Sequence, residues 1–154
     1  SDCHEALVSG LDQAQSAGIK LHLHTLALRR TLAGLPNLAR LCQQRWAVPI
    51  ALAPARPKEG VWDFNTEAPS IAEVRTVLER IPSEALTLLG WPACLDPSRD
   101  RGASLIMSLY FRGQMRGHPP VCGECAIHSG CSGLLQALHD RDGSSGLAPV
   151  VEQA

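Results

Sequence analysis

Apolar residues change their spacing along this chain, and each change marks an element. Leu7, Leu11 and Ala14 recur every three or four positions among polar neighbours, which predicts a helix over residues 2–17. Asp2 with Glu5 three positions on suits its first turn, and Gly18 suits its end. The spacing then drops to two. Ile19, Leu21 and Leu23 alternate with Lys20, His22 and His24, so residues 19–25 read as a strand with one apolar and one polar face.

Helical spacing returns at Leu38, Leu41 and Cys42, predicting a helix over about 35–45 with Pro36 in its first turn. "PIALAP" gives a short apolar strand, about 49–53, that runs into a Pro-rich loop with Gly60 near its end. Ser70 and Glu73 form a capping-box pair that opens a third helix to about 81, and Pro82 closes it. "ALTLLGW" then supplies a strand over about 85–90.

Alternating helices and strands with short links are the pattern of an α/β fold with a parallel sheet or barrel. A complete barrel takes about 250 residues. The expected class is therefore α/β, a partial parallel (β/α) barrel fragment over residues 1–90, followed by a small cysteine-rich extension over 91–140. Within that extension "SLIMSLYFRG" fits a strand or a short helix equally, and "SGLLQALHDR" fits a short helix. Residues 141–154 are polar and small and are expected to form a flexible tail.

Composition narrows the class further. Apolar residues make up 45% of the 154 and charged ones 19%, enough for a packed core. The net charge of −1 gives no electrostatic reason to expect nucleic acid or an anionic membrane as partner. No leader-like segment and no spanning run of about 18 apolar residues is present, so the cytoplasm is the expected compartment. The chain opens at a helix cap without Met and reads as a piece of a longer protein.

In a reducing compartment clustered cysteines point to metal or redox chemistry rather than disulfides. "HPPVCGECAIHSGCSG" holds Cys122, Cys125 and Cys131 at C-x2-C-x5-C spacing. Cys94, in the Pro-flanked turn "GWPACL" just past the last strand, is the natural fourth ligand. Cys3 and Cys42 lie on predicted helices and read as small buried apolar residues. Four thiolates suit a structural zinc, and so do three with His128. Scattered spacing also suits an iron-sulfur cluster, whose ligands contact separate irons. A dithiol redox role for "CGEC" lacks the helix N-terminus after a first strand that such motifs use.

Three stretches carry a family likeness: "GLDQAQSAGIKLHLHTLALRRTLAGLPNLARL", "IALAPARPKEG", and "GWPACL" with "CGECAIHSGCSG". Together they resemble the C-terminal half of a radical S-adenosylmethionine enzyme carrying a SPASM-like or shorter twitch extension. The resemblance implies an auxiliary four-iron four-sulfur cluster on Cys94, Cys122, Cys125 and Cys131. It also implies S-adenosylmethionine in the complete enzyme, a peptide or small-molecule substrate, an electron donor, and an upstream half of the barrel. His24, Thr25 and Arg56 then lie near the cofactor or substrate cavity. The alternative for these three is interior packing or an exposed charge. Lys20 and His22 share the strand's polar face, and Trp62 and Phe64 in "VWDF" read as cover for the core.

The departures are specific. The C-x3-C-x2-C motif that holds the S-adenosylmethionine-cleaving cluster is absent, so this chain alone is not expected to turn over that cofactor. Leu135 stands where a further extension cysteine is usual, which favours a single auxiliary cluster. Thr31 stands where Asn is common. The competing reading is a non-enzymatic zinc-stapled α/β interaction module.

Overall fold

Three short parallel strands form the centre of the fold. A computed structural model of the chain describes residues 2–57, 60, 62–95 and 116–151. The elements are α1 (Asp2–Ser16), β1 (Leu23–Ala27), α2 (Arg29–Leu32), α3 (Leu35–Trp46) and β2 (Ile50–Pro54). Then come α4 (Phe64–Glu67), α5 (Ile71–Leu78) and β3 (Leu86–Leu88), and later β4 (Arg116–Gly117), β5 (Leu134–Leu135) and α6 (Gln136–Asp142). "SLIMSLYFRG", "SRDR" and Lys58 lie outside the described residues.

The sheet order is β1-β2-β3, all parallel, with Leu23 opposite Ile50 and Ile50 opposite Leu86. The α/β class therefore holds, as a mixed fold with a three-stranded parallel sheet. β1 starts at Leu23 rather than residue 19. Ile19, the first apolar residue of the predicted alternation, is exposed, so Lys20 and His22 precede the strand.

Strand alternation separates two faces. Leu23, Thr25 and Ala27 of β1 share a face with Ile50, Leu52, Leu86 and Leu88, and on that face α3 packs over β2 and against α5. Ala39, Cys42, Trp46, Ile71, Val74 and Leu78 of those helices fill the core. The other face carries His24 and Leu26, opposite Ala51 and Ala53, with Ala53 and Leu89 as its buried apolar pair.

Local chemistry accounts for the helix ends. Ser70 Oγ accepts from the Glu73 N–H at 3.2 Å, and Glu73 Oε2 accepts from the Ser70 N–H at 2.7 Å, the reciprocal cap that the sequence predicted. Pro36 sits in the first turn of α3, where its missing N–H is harmless. Trp62 and Phe64 pack partly buried against the core with their rings 6.3 Å apart.

The expected boundary near residue 90 is not a break in packing. Trp91, Leu95, Leu134, Leu135 and Leu138 belong to the same apolar core as the sheet and its helices. β4 and β5 pair antiparallel, Arg116 with Leu135 and Gly117 with Leu134, and bring the cysteine segment back onto that core. Among the described residues no helix is long and apolar enough to cross a membrane.

Candidate metal centre

The cysteine segment is a chain of tight turns with a period of three. The Cys122 N–H donates to Pro119 O at 2.8 Å and Cys125 to Cys122 O at 3.1 Å. His128 then donates to Cys125 O at 3.0 Å and Cys131 to His128 O at 3.2 Å. Each bond closes a 3₁₀-type turn, and such turns return side chains to one side every third residue. The first turn begins at Pro120, whose ring fixes the backbone that the turn needs. The C-x2-C-x5-C spacing is thus a three-residue rhythm that also passes through His128.

Cys94 arrives from the end of the sheet. β3 leads into Trp91, whose indole N–H donates to Leu52 O at 3.1 Å, and a single turn at Ala93–Leu95 then presents the buried Cys94. Arg75 of α5 reaches its backbone carbonyl at 3.4 Å.

One partly open hollow, of about 20 Å³, is lined by Cys94, Cys122, Cys125 and Cys131. Its walls include Pro92, Val121 and Leu134 from the two cysteine segments, and Leu147 and Pro149 from the segment after α6. Two backbone N–H groups, of Ala93 and Gly133, each donate to Cys131 Sγ at 3.4 Å. Amide donors aimed at sulfur are a known lever on the potential of metal–thiolate groups.

The thiols feel one another. Burial pushes the Cys94 thiol up, and Cys131 and Cys125 push it the same way, while the Ala148 N–H and Arg75 oppose. Burial likewise raises Cys122, reinforced by Cys94, Cys131 and Cys125. The thiolate form is thus disfavoured at Cys94 and Cys122, and a bound cation would invert that penalty. Four thiols on one hollow are the kind of donors that thiophilic metals and clusters take. Among the described residues, no three or more His, Cys, Asp or Glu side chains are set to hold a single ion as they stand.

His118 and His128 stand at the same hollow, exposed, with ring centroids 4.5 Å apart and edge-on. His118 Nε2 lies 3.3 Å from Cys131 O. His128 thus shares the hollow with the thiols that a Cys3His site would use.

The other candidates lie elsewhere. His24, Thr25 and Arg56 do not line this hollow. His24 is exposed on the face opposite the helices, whereas Thr25, one residue on, is on the helix-covered face. The pleat thus turns these two side chains to opposite faces of the sheet. Arg56 is half-buried just beyond β2. Cys42 is buried as expected, and its thiol is raised by burial. Cys3 is not, because α1 turns it to solvent.

Sequence reasoning missed Trp91, Ser132, Gly133 and the segment 146–150. Gly133 has φ +72, and a Cβ there would meet Gly117 O at 2.9 Å, so the glycine in "CSG" was its one legible signal. Comparisons with protein-family models, with curated proteins and with solved structures found no match.

Proposed function

We propose that this chain holds a thiolate-ligated auxiliary four-iron four-sulfur cluster on Cys94, Cys122, Cys125 and Cys131, as part of a radical S-adenosylmethionine oxidoreductase. The observation that carries the reading is the convergence of Cys94, from the end of the sheet, with three cysteines of a separate turn segment on one hollow. The two N–H donors on Cys131 Sγ suit a metal-bound sulfur. The likeness to the SPASM and twitch extensions supplies the cluster type.

Such a cluster supplies one-electron transfer and, with four protein thiolates, leaves no open iron for substrate. The chain's own residues hold and shield it. Cys94 ties it to the sheet through Trp91, and the turn segment wraps the other side. An upstream half bearing C-x3-C-x2-C would bind S-adenosylmethionine, and the sheet face that carries His24, together with Arg56, would border a peptide or small-molecule substrate. An electron donor completes the scheme.

A second reading, a structural zinc in a non-enzymatic module, is favoured by His128 at the same hollow. Anaerobic reconstitution with iron and sulfide separates the two readings. The cluster reading expects about four irons with matching sulfide per chain, visible charge-transfer absorption, and loss of both in Cys94→Ala but not in His128→Ala. One colourless zinc per chain that depends on His128 and ignores Cys94→Ala would replace it with the module.

A further inference from the structure

The segment after α6 runs back across the cysteine hollow. Gly146 sets its path: φ is +79, and a Cβ there would lie 2.8 Å from the Ala72 N and 3.1 Å from Ile71 Cβ. Only glycine passes so close to the start of α5 in that conformation. Leu147 packs against the core and also lines the hollow, and Pro149 lines it too. Ala148 lies between these two lining residues. Val150 O then accepts from the Ala126 N–H at 2.8 Å, which fastens the segment to the loop between Cys125 and Cys131.

We propose that residues 146–150 are a strap that closes the cysteine hollow and sets how fast a bound metal exchanges. The inference rests on the metal reading above and adds a regulating wall to that site. Both ends are fixed, one by Gly146 on α5 and the other by Val150 on the cysteine loop. The middle supplies two apolar side chains that wall the hollow, Leu147 and Pro149. Nothing in it ligates. Its effect is on solvent and chelator access, the kind of outer contact whose loss costs metal sites roughly 10- to 100-fold in affinity.

The test uses the full chain after anaerobic reconstitution, with Gly146→Val to lift the strap. Pro149→Gly is the milder companion, keeping every ligand while adding backbone freedom. Iron release into excess EDTA is followed by absorbance and by iron content. Both variants are expected to load as much iron as the parent chain and release it roughly tenfold faster or more. Release at the parent rate in Pro149→Gly, with loading intact, overturns the strap. A parallel measurement needs no metal: alkylation of Cys94 by iodoacetamide in the apo chain, read by peptide mass. Faster alkylation in the variants supports the strap even if the parent chain binds no iron, which would sink the metal reading alone. Equal alkylation in parent and variants overturns the strap. Should Gly146→Val fail to fold, Pro149→Gly decides.

Discussion

The Trp91 indole N–H donates to the carbonyl oxygen of Leu52 across 3.1 Å, inside the core and in the middle strand of the sheet. The same carbonyl accepts the Leu89 N–H at 2.8 Å, and the Trp91 carbonyl in turn accepts from Ser132 Oγ at 3.1 Å. One residue thus joins β2 to both segments that carry the cysteines, through its indole N–H and its backbone carbonyl. The expected cost of Trp91→Phe is about 1 kcal/mol, because Leu52 O keeps its second donor and no buried acceptor is stranded. Trp91→Ala should cost about 3–5 kcal/mol through lost packing and a cavity. Chemical denaturation of both variants checks this, and equal losses would show that the hydrogen bond, not the ring, carries the effect.

Glu73 gives the fold an acid-sensitive helix start. Arg29 holds its carboxyl down to about 2 with two hydrogen bonds, assisted by the Ser70 N–H. A carboxylate lowered in the folded state stabilises fully above its ordinary value of 4.5 and loses that contribution as pH falls toward 2. The Arg29 and Glu73 side chains are 44% and 42% exposed, so salt and water screen much of the pair. The stability gap between parent and Glu73→Gln should therefore narrow steadily from about pH 5 to about pH 2. A gap that stays constant across that window would contradict the lowered carboxyl. Ser70→Ala, which removes the other half of the cap, should cost about 1 kcal/mol at neutral pH.

That cap was legible because its chemistry is local: Ser70 and Glu73 are three residues apart and satisfy each other. Strand existence was legible for the same reason, through the alternation around Leu23 and the apolar run at Ile50–Ala53. Where β1 begins was not, because Ile19 and Leu21 carry the alternating pattern but lie before its first partner, Ile50. The convergence of Cys94 with the later cysteines could be argued from its place past a strand end. The three-residue turn rhythm through His128 was written in the spacing and overlooked. The strap was illegible, since "GLAPV" carries no period and its role depends on Ala72 and Cys94, which are distant in sequence.

Cysteine reactivity should sort by place rather than by count. Cys3 is exposed on α1, whereas Cys42 is buried under α3 with its thiol raised by desolvation. Thiolate is the reactive form, and neither access nor ionisation favours Cys42. Maleimide labelling of the native chain at pH 7 should modify Cys3 within minutes and leave Cys42 intact until denaturant is added. Rapid native labelling of Cys42 would mean that α3 does not pack on the sheet as described. Cys42→Ala, which removes a single buried sulfur, should leave metal loading unchanged, in contrast to Cys94→Ala.

Arg141 supports the strap from below. Its guanidinium donates to Ala68 O at 2.7 Å and to Pro69 O at 3.2 Å, and lies 5.3 Å over the Phe64 ring. It also forks onto the neighbouring Asp142 at 2.6 Å, with the two side chains 17% and 15% exposed. α6 is thereby pinned to the link between α4 and α5, and the chain leaving α6 is delivered to Gly146. Removing the guanidinium strands Asp142 and two carbonyls, so Arg141→Met should cost about 2–3 kcal/mol. Lysine keeps the charge but lacks the planar fork, and Arg141→Lys should recover less than half of that loss. Because the strap depends on where α6 ends, iron release from reconstituted Arg141→Met should also quicken, as in Gly146→Val. Denaturation midpoints and EDTA release rates on the same samples check both effects. A destabilised variant that still releases iron at the parent rate would separate α6 anchoring from closure of the hollow.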